Sequence, residues 1–252
     1  MAQLCFFFYT DIRSNHRAKE KRGEHNMKWV KKCFKFMILF LFMICFFAAG
    51  ILSFSGIKTA NEKLSQKSLY EMAHSIENKD DFVSYDDLPD MYCKAVIAAE
   101  DKRFFKHCGI DLIAIGRAVV HDLAAGSYIE GGSTITQQLA KNQYLTQEKL
   151  LERKAAEMFL AFEIEKVFSK EEIFALYVNS IYFGSGYYGI AEASRGYYGK
   201  EVWDLTDEEC VTLAGIPNAP SVYDLNQNPD LAEQRKDQVL RQMSKLGDIV
   251  MP

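Results

Sequence analysis

The first candidate for acid–base chemistry in this chain is Glu100, within the run AAEDKRFFKHCGID. Phe104 and Phe105 follow closely, and apolar neighbours raise the pKa of a carboxyl group. A carboxylate whose pKa approaches the working pH can accept a proton from a hydroxyl group. Residue type alone favours an ordinary carboxylate on a helix surface, so the assignment of Glu100 depends on the surrounding pattern.

A second group of residues suits the binding of phosphate oxygens. The run ERKAAE contains Arg153 and Lys154, and Glu157 follows them by four and three residues, which places it on the same helix face. Arginine offers a planar fork to phosphate oxygens, and lysine offers a compact charge. Lys141 and Arg117 are further candidates for this task. The alternative is a cluster of exposed salt bridges, each worth about a few tenths of a kcal/mol.

The stretch EGGSTITQQLAKN, residues 130–142, combines small residues with hydrogen-bond donors. Thr134 and Gln137 form the pattern of a capping box, which predicts that a helix begins here. Glycines allow a backbone to approach a ligand closely, and a helix N-terminus presents free N–H groups to an anion. A capped helix beside a loop would explain the capping box but not the residues around it. Those residues are Gly131, Gly132, Ser133, Gln138, Lys141 and Asn142.

Helices must position these groups, because apolar residues at helical spacing dominate the chain after residue 90. Ser169 with Glu172 and Thr206 with Glu209 form two more capping boxes. Strand signals are confined to short runs such as SVYDL. The fold class is therefore mainly α, in one compact domain. The runs with helical spacing are LPDMYCKAVIAAEDKRFF, DLIAIGRAVVHDLAAG, QEKLLERKAAEMFLAFEIEKVF and NPDLAEQRKDQVLRQMSKLG.

The first 57 residues differ in character from the rest. They hold nine of the 30 basic and three of the 34 acidic residues, a net charge of +6, and the remaining 21 basic and 31 acidic residues give −10. Residues 36–57 carry no charge, and about 20 apolar residues suffice to span a bilayer as a helix. Because the preceding charges are mostly basic, we expect the tail inside the cell and the body outside. A cleaved signal peptide is the alternative, but its apolar region normally has about 7–15 residues.

The cysteines and the start of the chain carry weaker expectations. Three cysteines, Cys93, Cys108 and Cys210, fall in the predicted outer part. We expect small buried side chains, with a Cys93–Cys108 bridge as the alternative. The cysteine and histidine spacing does not match a zinc site. Met27 begins a natural short basic tail, so we expect translation to start there.

Four segments in this order resemble the peptidoglycan glycosyltransferases of glycosyltransferase family 51. These are the polymerase domains of class A penicillin-binding proteins and the monofunctional transglycosylases. One motif alone would be weak support, but all four behind a membrane anchor are specific. The resemblance covers about residues 85–247 of the sequence. The segments are AAEDKRFFKHCGID (98–111), GGSTITQQLAKN (131–142), ERKAAE (152–157) and KEEIFALYVNSIYFGSGYYGIAEASRGYYGK (170–200).

The resemblance implies a lysozyme-like α-helical lobe with a smaller membrane-facing jaw subdomain, preceded by one transmembrane helix. We therefore expect a basic cytoplasmic tail over 1–35, an anchor over 36–57, a stalk over 58–84 and a glycosyltransferase domain over 85–252. Ile113, Ile115, Val119 and Val120 would either dip into the lipid surface or fill the core.

The implied reaction is the polymerisation of lipid II, an undecaprenyl-pyrophosphate-linked disaccharide pentapeptide, into glycan strands. The 4-hydroxyl of an acceptor GlcNAc attacks the anomeric carbon of a donor MurNAc with inversion, and undecaprenyl pyrophosphate leaves. No SxxK, SDN or KTG set follows, so the expected type is monofunctional. The expected partners are lipid II, the growing strand, the bacterial cytoplasmic membrane and other cell-wall synthesis proteins. No nucleic acid is expected.

Carried onto this sequence, the resemblance makes Glu100 the general base and Glu157 the second essential acid. Glu157 would either orient the cations of the leaving group or share a divalent cation, Mg²⁺ or Mn²⁺, with pyrophosphate oxygens. The sequence itself requires no cofactor, and Asp101 with His107 would hold the shape of the site. The expected substrate-binding residues are Asp101, Phe104, His107, Gly132, Ser133, Thr134, Gln137, Gln138, Lys141, Asn142, Arg153, Lys154 and Asn179.

Two other functions compete with this interpretation. A lysozyme-like hydrolase would also use a pair of carboxylates, but it would not need cations to receive a pyrophosphate. A non-catalytic scaffold of the cell-wall machinery would be expected to lack Glu100 or Glu157, and both are present.

Overall fold

The computed structural model describes residues 2–125, 132–145 and 150–246. Within these residues the chain forms α-helices joined by short turns and contains no strand, which confirms the mainly α class. The run SVYDL lies in turns. The helices are α1 (Ala2–Gln66), α2 (Leu69–Glu77), α3 (Asp90–Glu100), α4 (Leu112–Ala125), α5 (Ile135–Tyr144), α6 (Leu150–Val167), α7 (Lys170–Val178), α8 (Ile190–Tyr198), α9 (Asp207–Gly215) and α10 (Pro229–Leu246).

The chain divides into two compact units, Met1–Leu52 and Ser53–Pro252. Within α1, the segment Phe34–Gln66 is long and apolar enough to cross a membrane, and none of the residues in its most apolar window is buried. An exposed apolar helix of this length is what the sequence predicts for an anchor.

Among the described residues of the second unit, capping boxes start four helices. They begin at Thr134, Ser169 and Thr206, as the sequence predicts, and a fourth begins at Ser68. In each box the capping oxygen accepts a hydrogen bond from the backbone N–H three residues on, and the side chain there accepts one from the cap's own N–H. Each cap stabilises its helix by about 1 kcal/mol, so the boundaries around the site are locally encoded.

The core of the second unit forms where α3 packs against α9 and α10, and where α5 packs against α6 and α7. This arrangement brings the end of α3, the start of α5 and the first half of α6 to the same part of the unit. The largest fully buried side chains include Tyr92, Phe104, Phe174 and Tyr177.

The segment predicted as a stalk, residues 58–84, contributes to this core. Helix α2 buries Met72 and Ile76 among the core side chains. The part of α1 just before the predicted stalk also packs closely, because a Cβ at Gly56 would lie 2.5 Å from the Cβ of Ala155 in α6. The packed unit therefore includes the predicted stalk and the part of α1 that immediately precedes it.

Helix α4 presents apolar side chains to the solvent. Leu112, Ile113 and Val120 are exposed, and Ile115 is half-buried. Core burial is therefore wrong for Ile113 and Val120, and lipid contact stays a prediction. The side chain of Val119 lies outside the described residues.

The cysteines of the second unit are all free. Cys93 and Cys210 are buried, in agreement with their interpretation as small core side chains, whereas Cys108 is exposed. The alternative of a Cys93–Cys108 bridge is therefore wrong.

Candidate active site

Glu100 is the last residue of α3, and its carboxyl group is buried, with one oxygen that accepts no hydrogen bond from the described residues. The side chain is 7 % exposed. Oε2 accepts a 2.7 Å hydrogen bond from Nε2 of Gln138, and Oε1 has no hydrogen-bond partner among the described residues. Burial raises the pKa of the Glu100 carboxyl, and the Gln138 hydrogen bond and the charge of Arg235 oppose that rise. A carboxyl group with these properties is suited to accept a proton at Oε1.

The amide of Gln138 is oriented by a buried tyrosine. The hydroxyl of Tyr177 donates a 3.2 Å hydrogen bond to Oε1 of Gln138, which turns the amide nitrogen toward Glu100. Burial raises the pKa of Tyr177 well above its ordinary value, so its hydroxyl remains a donor. Helices α5 and α7 thus hold the carboxyl group of α3 in one orientation.

The loop after α3 is tied to the start of α5. Asp101 accepts a hydrogen bond from Nε2 of His107 at 3.0 Å and another from the backbone N–H of Ile135 at 3.1 Å. The hydroxyl of Thr134 donates a 2.6 Å hydrogen bond to the carbonyl of Gly109. These contacts join Asp101 and His107 to the start of α5 and its neighbouring loop, and the role of both residues at the site stays a prediction.

The same contacts occupy part of the α5 N-terminus. The N–H of Ile135 donates to Asp101, and the N–H of Gln137 donates to Thr134. A helix N-terminus attracts an anion through its free N–H groups. Because two of these groups are engaged within the protein, the terminus offers less to an anion than the sequence suggests.

The predicted phosphate-binding residues of α6 form an ion-pair group around Glu157. Nζ of Lys154 donates 2.7 Å hydrogen bonds to Oε2 of Glu157 and to Oγ of Ser133. Nε of Arg153 lies 3.6 Å from Oε1 of Glu157. The Glu157 side chain is 5 % exposed, whereas that of Lys154 is 44 % exposed. The carboxylate is therefore buried behind cations that remain accessible.

Helix α5 and the segment before it connect the two acidic centres. Ser133 contacts the cation of α6, and Gln138 contacts the carboxyl group of α3. Lys141 and Asn142 follow Gln138 by three and four residues, so they lie on its side of the helix, and both are exposed. The segment that the sequence singles out thus contacts Glu100 directly and reaches Glu157 through Lys154.

Gly132 lies against α4. A Cβ at Gly132 would lie 3.3 Å from the Cα of Ile115, which is tighter than ordinary packing. The glycine therefore has a structural reason to be small, besides the predicted approach to a ligand. Gly131, the other glycine of the pair, lies outside the described residues.

Two residues predicted to bind substrate have contacts that fit structural roles. The Asn179 amide donates to the carbonyls of Val83 and Ala175 and accepts from the N–H of Val83, so its polar atoms are used inside the protein. Phe104 is fully buried and packs against the ring of Phe174. Neither side chain is free for a ligand in this arrangement.

Sequence reasoning missed Arg235 of α10, whose Nη2 lies 4.0 Å from Oε1 of Glu100. Arg235 is buried together with Ala232 and Val239 on one face of the helix. A basic residue within an apolar stripe was the available signal, since charged residues are rarely buried without a partner.

The described residues do not fit a resident metal ion. They contain no group of three or more His, Cys, Asp or Glu side chains able to hold one. Glu157 is a single carboxylate whose two oxygens face Lys154 and Arg153. The divalent cation stays a prediction that would need oxygens from the substrate.

A buried carboxyl group, one oxygen of which accepts no hydrogen bond from the described residues, is linked through α5 to an accessible cation group, and such groups can take up a proton and bind an anion. The chain belongs to the transglycosylase family, whose sequence profile, described as "Transglycosylase", matches residues 65–244. The match includes α2, which lies in the segment predicted as a stalk.

Several penicillin-binding proteins are similar to this chain. It is 44 % identical over 190 residues to penicillin-binding protein 1F of Bacillus subtilis (strain 168), covering 75 % of the chain and 27 % of the relative. It is 47 % identical over 168 residues to penicillin-binding protein 1A of Aquifex aeolicus (strain VF5), covering 67 % and 23 %. It is 39 % identical over 250 residues to penicillin-binding protein 1A/1B of Bacillus subtilis (strain 168), covering 94 % and 27 %.

The chain thus spans about a quarter of the length of these relatives. The expectation that no transpeptidase domain accompanies it stays a prediction.

Proposed function

We propose that this protein is a peptidoglycan glycosyltransferase that polymerises lipid II into glycan strands. The observation that carries the proposal is the buried Glu100 carboxyl with a free oxygen, linked through α5 to the cations around Glu157. Membership of the transglycosylase family supports it. A hydrolase would need the carboxylates, but the accessible cations favour a leaving group that carries phosphate.

In the proposed reaction, Oε1 of Glu100 accepts the proton of the acceptor GlcNAc 4-hydroxyl. The hydroxyl oxygen forms a bond to the anomeric carbon of the donor MurNAc as the bond from that carbon to the pyrophosphate oxygen breaks. Attack opposite to the leaving group inverts the anomeric centre. A positioned general base contributes roughly 10²–10⁴-fold to such a step.

The negative charge that develops on the leaving pyrophosphate would be received by Lys154 and Arg153, with Lys141 as a further cation. Glu157 holds the first two in place, because its buried carboxylate pairs with both. A divalent cation, where the substrate brings one, would supply additional charge stabilisation to the pyrophosphate. The side chains of the protein perform the binding and the proton transfer.

The proposed setting is the outer face of the bacterial cytoplasmic membrane. The apolar segment of α1 would anchor the chain in a single pass, with the basic tail in the cytoplasm. The exposed apolar side chains of α4, Leu112, Ile113 and Val120, would contact lipid near the substrate. Other cell-wall synthesis proteins are proposed partners.

The test uses the purified full chain in a mild detergent with fluorescent lipid II. We expect lysozyme-sensitive polymer and released undecaprenyl pyrophosphate, and we expect Glu100→Gln to lower the rate by roughly 10²-fold or more. Glu163→Gln is the matched control, because Glu163 is an exposed glutamate of α6 paired with Lys166.

Two results would refute the proposal. A parent chain that shortens preformed glycan and leaves lipid II intact would identify a hydrolase. Equal rates for the parent and Glu100→Gln would remove Glu100 from the chemistry.

A further inference from the structure

Arg235 approaches Glu100 from a helix that lies far away in the sequence. Its Nη2 lies 4.0 Å from Oε1, the oxygen of Glu100 that has no hydrogen-bond partner among the described residues. Both side chains are more than nine-tenths buried. An opposite charge at this distance in a buried site favours the charged carboxylate.

The guanidinium is held in place by contacts that do not involve Glu100. Nε donates a 3.3 Å hydrogen bond to the carbonyl of Gly215 at the end of α9, and Nη1 donates to Oε1 of Gln238 at 3.2 Å. The cation also lies over the ring of Tyr223, 5.7 Å from its centroid. These contacts fix the direction of the charge before any substrate binds.

Gly215 is required for this placement. A Cβ at Gly215 would lie 2.9 Å from Cγ of Arg235 and 3.4 Å from Cγ2 of Val239. The backbone of Gly215 is right-handed helical, so alanine would suit its conformation and would disturb only the neighbouring side chains. The glycine therefore leaves the space through which Arg235 reaches Glu100.

The other ionisable groups around Glu100 cannot replace this charge. Asp101 is acidic and disfavours a second carboxylate. Tyr92 and Tyr177 interact electrostatically with Glu100, but burial raises the pKa of each tyrosine well above the ordinary value, so both stay neutral. Among the groups that change the pKa of Glu100, Arg235 is the one that carries a positive charge.

We propose that Arg235 is a positioning residue that keeps Glu100 in its proton-accepting form. Burial alone favours a neutral acid, which cannot take a proton from a hydroxyl group. Arg235 opposes that effect at Oε1, the oxygen that accepts no hydrogen bond from the described residues and that takes up the proton in the proposed reaction. The inference rests on the proposed role of Glu100 as the base.

The test compares the pH dependence of lipid II polymerisation, as kcat/KM, in the full chain and in Arg235→Met. Without the guanidinium, the acidic limb of the profile should move to higher pH by roughly 1–3 pH units. Near neutral pH the rate should fall about tenfold for every pH unit that the limb moves, because less carboxylate is present. The rate should recover at high pH, which a purely structural loss would not produce.

Two variants control this result. Arg235→Lys keeps the charge and should retain most of the parent pH profile. Arg241→Met makes the same exchange at an exposed position of the same helix and should leave the profile unchanged. A uniform loss at every pH in Arg235→Met, or an acidic limb that stays in place, would overturn the proposal.

A second measurement does not depend on catalysis or on a stable Arg235→Met protein. Carbon-13 NMR of the labelled Glu100 side chain would report its titration without substrate in the parent and in Gly215→Ala, where Arg235 is displaced. We expect a higher titration midpoint in Gly215→Ala. An unchanged midpoint would refute the inference, whereas failure of the proposed function would appear separately, as a parent chain that makes no polymer.

Discussion

Replacing Thr134 with valine removes two hydrogen bonds: one caps α5, and the other ties α5 to the loop that follows Asp101 and His107. The Thr134 hydroxyl accepts from the N–H of Gln137 and donates to the carbonyl of Gly109 at 2.6 Å. Thr134 is 2 % exposed. Valine has nearly the same shape, so the substitution removes polar contacts and leaves little empty volume.

The expected loss combines two contributions. Removal of a helix N-cap costs about 1 kcal/mol. Leaving the buried Gly109 carbonyl without its partner costs roughly 1–3 kcal/mol more. The sum, about 2–4 kcal/mol, should lower the Tm by roughly 5–15 °C for a unit of this size.

Thr206→Val is the matched control. Thr206 caps α9 with the same kind of capping box, but its bond to the N–H of Glu209 is long, 3.4 Å, and exposed. The control should therefore lose only about 0.5–1 kcal/mol. The difference between the two variants measures the contact between Thr134 and Gly109.

The assay is thermal unfolding of the full chain in detergent, followed by near-ultraviolet circular dichroism, with polymerisation of lipid II measured on the same samples. We expect Thr134→Val to lose stability and, while folded, to keep activity within about tenfold of the parent. Equal destabilisation by Thr134→Val and Thr206→Val would refute the structural role. A folded Thr134→Val protein without activity would instead support the ligand contact that the sequence suggests.

Two further predictions concern the glutamates. Glu157→Gln should lower the polymerisation rate at least tenfold, because Lys154 and Arg153 lose the charge that holds them. The free energy of unfolding should fall by only about 1 kcal/mol, since both cations are partly exposed. Glu163→Gln should change neither quantity, and an unaltered rate in Glu157→Gln would contradict the role of Glu157 in holding the two cations. Glu100→Gln should unfold at a higher temperature than the parent at pH 8. Burial raises the pKa of the Glu100 carboxyl in the folded protein. The contribution of Glu100 to the free energy of unfolding is therefore fully present below the ordinary carboxyl pKa, and it is lost as the pH rises through the raised pKa. The two proteins should agree at pH 4, and a lower Tm of Glu100→Gln at pH 8 would contradict the burial argument.

Local chemistry made several elements predictable. The capping boxes at Thr134, Ser169 and Thr206 were readable because the pattern depends on residues three positions apart. The grouping of Glu157 with Arg153 and Lys154 follows from helical spacing for the same reason.

Other assignments depended on contacts between distant segments. Asn179 and Phe104 carry motif positions, but the first bonds to the backbone near Val83 and the second packs in the core. Arg235 looked like one charge among many in α10, although it reaches Glu100. Sequence spacing cannot reveal such contacts, because they depend on which helix faces pack together.

The sequence by itself determined the mainly α class, the apolar segment able to cross a membrane and the pairing of Glu157 with Arg153 and Lys154 along α6. These properties follow from periodicity, composition and short-range spacing. Only the tertiary structure decided which oxygen of Glu100 accepts a hydrogen bond, that Gln138 and Ser133 connect Glu100 with the cations around Glu157, and that Arg235 supplies a cation to the buried carboxyl group. The reason is physical: burial and hydrogen-bond direction arise from the packing of α3, α5, α6 and α10, and they set the charge and the accessibility of each group.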